Sequence, residues 1–198
     1  MAHYNKSDIA DLKKDLTVED TLSGFPMTFD TTWGIFSPRA IDVGSVMLLK
    51  YLDVNSSDKC LDLGCGYGVL GLTMAKMAPQ GEVIMVDKDY VAVDYANKNA
   101  KKNNTPHASA RLSNGFSEVH ERHFNVIVSN IPAKVGNELL YIFLHDAYER
   151  LAPGGRFYVV TITGLRDFMK RAFKEVFGNY KKHKQGPAYT VASAVKEE

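Results

Sequence analysis

The segment that most constrains this chain is Leu61-Asp62-Leu63-Gly64-Cys65-Gly66-Tyr67-Gly68, with the apolar stretch 69–78 behind it. A short apolar run meets three glycines in five residues and a helical pattern then begins. A strand that turns through glycines straight into a helix is the opening of a βαβ unit. The same rhythm continues downstream. Residues 82–87 (EVIMVD), 108–113, 124–130 (FNVIVSN) and 156–162 (RFYVVTI) read as strands. Residues 90–103, 137–151 and 165–177 read as helices, the second stopped by Pro153-Gly154-Gly155. Apolar strands alternating with helices predict a parallel sheet covered on both faces. Residues 179–195 form two strands around Gln185-Gly186-Pro187, which predicts an antiparallel closing hairpin. The fold class is α/β, doubly wound and mostly parallel.

The first 52 residues lie outside this rhythm. Residues 7–20 have Ile9, Leu12 and Leu16 at helical spacing, which predicts a short amphipathic helix. Residues 21–36 alternate weakly around Gly24 and Gly34, as a hairpin or an extended flap would. Residues 42–52 predict a helix with Val46, Leu49 and Leu52 on one face. A length of 198 residues suits one domain, 1–198, with 1–52 as an N-terminal extension and flap and 53–198 as the core. The core sheet is expected not to need residues 1–37.

Charge and cysteine use exclude several classes. Twenty-four Lys+Arg against 23 Asp+Glu leave +1, so any nucleic-acid contact must rest on a local patch. Lys170, Arg171, Lys174, Lys181, Lys182 and Lys184 form one concentration of positive charge, readable as a solvated face or as a phosphate-binding patch. No apolar run approaches the ~18 residues of a membrane span, and the start MAHYNKSDIADLKKD has no apolar signal core. Cys60 and Cys65 are the only cysteines and are expected to be core thiols. His120-Glu121-Arg122-His123 offers too few ligands for a metal site. A cytoplasmic monomer without membrane or metal partners is expected.

Two ligands compete for the glycine loop. Gly66-x-Gly68-x-x-Gly71 matches the dinucleotide pattern, and Asp87 follows at a workable distance. Asp62, two positions before the first glycine, separates the readings. A carboxylate there repels a pyrophosphate and attracts a cation. S-adenosyl-L-methionine carries an ammonium and a sulfonium and no phosphate, so Asp62 favours it over a nicotinamide cofactor. Asp87 ends the second core strand, where a carboxylate accepts hydrogen bonds from ribose hydroxyls. Lys88 follows it and is placed to cover the adenine with its stem.

The strand 124–130 runs into Asn130-Ile131-Pro132-Ala133. Ligands in open α/β sheets bind beyond the carboxyl ends of strands, where strand order reverses. The Asn130 side-chain oxygen and the Ile131 carbonyl can each accept one N–H of a planar exocyclic amine. Held so, the amine turns its lone pair toward the methyl donor, and positioning of this kind supplies much of the rate. An Asn-x-Pro turn that merely ends the strand is the plainer alternative.

These segments resemble the class I S-adenosylmethionine-dependent methyltransferases, and within them the small-subunit ribosomal RNA guanine-N2 methyltransferases and their stand-alone archaeal relatives. The resemblance covers nearly the whole chain. It is carried by Gly34-Ile35-Phe36-Ser37, Asp42-Val43-Gly44-Ser45, the glycine loop, Ser113-Asn114-Gly115-Phe116-Ser117-Glu118, the strand 124–130 and Val176-Phe177-Gly178. It implies a seven-stranded Rossmann-like sheet. It also implies that Asp62, Gly64 and Gly66 line the methionine part of the cofactor and that Asp87 holds the ribose. Asn114 and Gly115 border the adenine, Phe36 and Ser37 close over the cofactor, and Asn130, Ile131 and Pro132 face the target amine. The implied reaction is methyl transfer to a guanine N2 amine in structured RNA, with ribosomal RNA as the implied acceptor. Ala133 departs from the aromatic or large apolar residue usual in the family, and Phe36 or Trp33 is the expected replacement for its stacking surface. A small molecule or a protein side chain as acceptor, and a non-catalytic cofactor- or RNA-binding relative, are the alternatives.

Overall fold

The computed structural model describes residues 5–132 and 135–197, so Ala133 lies outside the described residues. The chain opens with α1 (Lys6–Leu12), β1 (Leu16–Leu22) and β2 (Phe25–Thr31). The helix expected over 7–20 therefore ends at Leu12. From Leu16 the β-branched Thr17, Val18 and Thr21 join a strand instead, paired with β2 from Leu16↔Thr31 to Leu22↔Phe25. The turn explains the pairing. Ser23 and Gly24 both have positive φ, 49° and 85°, the twist a two-residue hairpin loop requires. Ile9, Leu12 and Leu16, expected on one side of an amphipathic helix, are 42%, 36% and 40% exposed.

The hairpin is fastened to the core by two asparagines of α4 (Tyr90–Lys102) and its C-cap. Asn99 Oδ1 accepts the Asp30 N–H at 2.8 Å, and its Nδ2 donates to the carbonyls of Asp30 and Tyr67, both at 2.9 Å. One turn on, Asn103 Oδ1 accepts the Thr28 N–H at 3.0 Å and its Nδ2 donates to the Thr28 carbonyl at 2.7 Å. Side-chain amides thus stand in for a neighbouring strand along β2. Leu22, Met27, Phe29 and Ile35 pack in the same buried cluster as Leu72 and Met74. Hairpin side chains thus belong to the same buried cluster as α3 and the core strands rather than lying apart from it.

The rest follows the strand–helix rhythm: α2 (Val43–Leu49), β3 (Lys59–Leu63), α3 (Val69–Met77), β4 (Glu82–Asp87), α4, β5 (Ala108–Leu112), β6 (Phe124–Asn130), α5 (Asn137–Arg150), β7 (Leu151–Ile162), α6 (Arg166–Phe177), β8 (Lys181–Gln185) and β9 (Tyr189–Val195). Seven strands form one sheet in the order β5-β4-β3-β6-β7-β9-β8. β3 to β7 are parallel, and β9 runs antiparallel between β7 and β8. Alternate strand residues feed two cores. Cys60, Met85, Val126 and Val128 point to the face covered by α2, α3, α4 and the hairpin, and Leu61, Ile84, Ile127 and Phe157 to the face of α5 and α6. Strand order reverses between β3 and β6, which opens a crevice at their carboxyl ends.

Candidate active site

Sheet register places the three principal polar residues. Asp62 pairs with Met85 on one side and Val128 on the other. Asp87 and Asn130 therefore lie two positions beyond Asp62 on the neighbouring strands. Side chains two apart share a face, and each strand step advances about 3.3 Å. The result is a triangle on one face of the sheet, with Asp62 recessed between an outer Asp87 and an outer Asn130. All three line a cleft of about 480 Å³.

Asp62 is fully buried. Its Oδ2 accepts the Gly71 N–H at 2.7 Å, while Oδ1 is buried without a hydrogen-bond partner. Burial, with the neighbouring Asp87 charge as a smaller contribution, raises its pKa to about 7. A carboxylate kept from water with an orphaned oxygen on a cleft wall calls for a cation. Gly71 is needed for this contact. A Cβ there would stand 2.5 Å from Met85 Cγ and 3.1 Å from Asp62 Oδ2, so the α3 backbone approaches the carboxylate only without a side chain.

The loop before α3 turns on Gly64, Gly66 and Gly68, with φ of 76°, 54° and 100°, values that L side chains rarely adopt. It is tied to β4: the N–H groups of Gly64 and Cys65 donate to the Val86 carbonyl at 2.8 and 3.0 Å, and the Gly66 N–H donates to Asp87 Oδ2 at 2.8 Å. Asp87 Oδ1 accepts from the Asp89 N–H at 3.0 Å. Two backbone donors thus orient this carboxylate, which retains lone pairs for a diol. Lys88, Asn114 and Gly115 line the same part of the cleft. Gly115 sits against α5, where a Cβ would meet Phe143 Cε1 at 2.8 Å. Cys65 lies on the cleft wall, but burial pushes its thiol well up, and Cys60 to about 12, so both stay unreactive.

The segment before α2 closes the cleft from the N-terminal side. Ser37 has a positive φ of 49°, its Oγ donates to the Ala40 carbonyl at 2.7 Å, and Tyr67 Oη donates to its carbonyl at 3.3 Å. Phe36 is 63% exposed at the cleft rim. Trp33 is 57% exposed, with Lys13 Nζ 5.6 Å from its ring centre, and does not line the cleft. Of the two aromatics expected near a substrate, only Phe36 is at the site.

Asn130, Ile131 and Pro132 line the opposite wall. The Ile131 N–H donates to the Val160 carbonyl at 2.9 Å, which holds the strand end in the sheet. Asn130 Nδ2 donates to Asp42 Oδ2 at 2.8 Å and to Ser45 Oγ at 3.0 Å. Among the described residues, none donates to its Oδ1.

A family model for the methyltransferase small domain matches residues 26–193. This chain belongs to the methyltransferase small domain family. It falls among the class I S-adenosylmethionine-dependent methyltransferases, as the resemblance of its glycine loop and neighbouring segments implied. Among solved structures, a T. thermophilus 16S rRNA N2-guanine methyltransferase in complex with AdoMet and guanosine is similar, with a TM-score of 0.82 and 30% identity. The match covers 92% of this chain and 50% of that one, so this methyltransferase spans half the length of that relative. A Pyrococcus furiosus methyltransferase (TM-score 0.65, 24% identity, 76% and 80% of the two chains) and M. jannaschii TYW2 with AdoMet (TM-score 0.65, 15% identity, 92% and 86%) share the fold.

The orphaned Asp62 oxygen suits the ammonium of S-adenosylmethionine, and the doubly braced Asp87 suits its ribose. The structure brings all twelve residues named for cofactor and acceptor to one cleft. Sequence reasoning missed Leu139 and Phe143 on α5, Tyr189 on β9, and the roles of Asp42 and Ser45. Asp42-x-x-Ser45 was visible as a helix start, since Asp42 Oδ2 accepts the Ser45 N–H at 2.9 Å. Nothing local to the sequence tells that the same carboxylate reaches Asn130, 88 residues away. Among the described residues, no group of three His, Cys, Asp or Glu is placed to hold a metal, and no helix is long and apolar enough to cross a membrane.

Proposed function

We propose that this methyltransferase transfers a methyl group to the exocyclic N2 amine of a guanine in structured RNA, with ribosomal RNA as the acceptor. The observation that carries the reading is Asn130, an amide at the end of β6 on the same cleft as Asp62 and two register positions beyond it. Asp62 and Asp87 hold the cofactor on one side, and Asn130 receives a planar amine on the other. S-adenosylmethionine, when bound, supplies a methyl group on a positively charged sulfur. The chain's part is to align an amine whose lone pair is delocalised, which Asn130 Oδ1 and the Ile131 carbonyl do by accepting its two N–H groups. The similar T. thermophilus enzyme, which carries AdoMet and guanosine, supports a guanine in this position. Phe36 at the rim offers an aromatic surface for an unstacked base, a contact worth about 1–3 kcal/mol. The proposed setting is the cytoplasm, where the buried thiols of Cys60 and Cys65 remain reduced, and the proposed active form is a monomer.

The test is transfer of a tritiated methyl group to total RNA from a strain lacking the gene, followed by nucleoside mass spectrometry. N2-methylguanosine is the expected product. Label in another nucleoside, in protein or in a small molecule, with none in guanine N2, overturns the acceptor.

A further inference from the structure

We propose that Asp42, together with Ser45, is a positioning residue that decides which end of the Asn130 amide faces the cleft. The assignment rests on the proposed role of Asn130 as acceptor for an amine, and it follows from hydrogen-bond polarity. A carboxylate accepts and does not donate, whereas an amide has an accepting end and a donating end. Asp42 Oδ2 stands 2.8 Å from Asn130 Nδ2, so the NH2 end is the one that this neighbour selects. Ser45 Oγ takes the same nitrogen at 3.0 Å. With both N–H groups directed inward, Oδ1 is left as the end available to the cleft, and an amine needs an acceptor there.

The carboxylate is itself held from three directions. Its Oδ2 also accepts the Ser45 N–H at 2.9 Å, as the N-cap of α2. Its Oδ1 accepts the Tyr189 hydroxyl at 3.2 Å. Tyr189 packs so closely on Gly44 that a Cβ there would lie 3.2 Å from its ring. One node thus joins α2, β6 and β9 around the reacting edge of the cleft. Donation from Nδ2 to a charged acceptor also shifts electron density toward Oδ1, which strengthens it as an acceptor. In this arrangement the N-terminal segment serves the acceptor side of the reaction through Asp42, in addition to the cover that Phe36 gives the cofactor side.

Three variants isolate the effect. Asp42→Ala removes the acceptor. Asp42→Asn keeps an oxygen for both Ser45 N–H and Asn130 Nδ2, and Asn caps a helix as well as Asp does. Ser45→Ala removes the second partner while leaving the Asp42 cap. The first readout is the Asn130 side-chain amide in 15N spectra of the S-adenosylhomocysteine complex, assigned by its absence in Asn130→Ala. The amide protons are expected to be displaced and slow to exchange in the parent and in Asp42→Asn. They should move toward solvent values and exchange faster in Asp42→Ala, with Ser45→Ala between. Spectra and exchange identical in the parent and Asp42→Ala overturn the proposal. This readout needs no acceptor, so it stands even if the parent fails to methylate guanine. The second readout is transfer to the RNA that the parent modifies. Asp42→Ala should lose about 10²-fold in kcat, the scale of a misplaced reacting group, with the S-adenosylhomocysteine Kd unchanged, and Asp42→Asn should recover most of the rate. A loss seen only in the cofactor Kd, or equal loss in Asp42→Ala and Asp42→Asn, contradicts positioning through the accepting oxygen.

Discussion

Asp62 grips the backbone of α3 with one oxygen, accepting the Gly71 N–H at 2.7 Å, and keeps the other buried and unpaired on the cleft wall. We propose this unpaired oxygen as the anchor for the cofactor's ammonium, a role it can fill only when ionised.

Cofactor affinity should therefore depend on pH. Burial raises the Asp62 pKa from an ordinary 3.8 to about 7. Below about 7 the carboxyl must lose a proton before it pairs with an ammonium, so S-adenosylhomocysteine binding should weaken as pH falls, by at most tenfold per unit. Stability of the free protein runs the other way. A raised carboxyl pKa means that the folded state binds the extra proton, so stability from this group falls as pH rises between the two values. Calorimetric titrations at pH 5.5, 6.5 and 8, with thermal melts beside them, check both signs. A Kd constant across that range contradicts the anchor.

Asn99→Ala should destabilise the protein by about 1–3 kcal/mol, the penalty for unsatisfied buried polar groups. It leaves the Asp30 N–H and the Asp30 and Tyr67 carbonyls without their partner. Deletion of 1–37 should be worse. It strips Met27 and Phe29 from the core and removes the β2 partners of Asn99 and Asn103 together. Urea denaturation reads the first and soluble yield the second. A deletion variant that melts like the parent would show that the hairpin is a separable cover.

Phe36→Ala tests the rim. The ring is largely exposed, so its loss should leave the melting temperature of the free protein nearly unchanged. It should weaken S-adenosylhomocysteine binding if the segment closes over the cofactor. Normal affinity with a lowered melting temperature contradicts that role.

The sheet was legible because its signals are local. Leu61-Asp62-Leu63-Gly64 marks a strand and its turn within four residues, and runs such as 82–87 and 124–130 are apolar on both faces. The cofactor residues were legible because a glycine loop and a following strand-end acid are close in sequence. The N-terminal 20 residues were not. Ile9, Leu12 and Leu16 have helical spacing, but Leu16 belongs to a hairpin whose decisive signals are Ser23-Gly24 and a partner strand beyond it. The acceptor side was half legible. Asn130 stands out beside Pro132, yet its orientation is set by Asp42, and only the folded chain brings these two together. Tyr189 and Phe143 reach the cleft from β9 and α5 by the same long-range route.

The central claim is a division of labour, with Asp62 and Asp87 holding the cofactor and Asn130 presenting the amine. Asn130→Ala separates the two most directly, measured by S-adenosylhomocysteine calorimetry and by single-turnover transfer to the RNA that the parent modifies. A cofactor Kd close to that of the parent with a transfer rate lower by about 10²-fold or more is the expected result. A variant that transfers at the parental rate, or one whose defect lies entirely in cofactor affinity, contradicts the account.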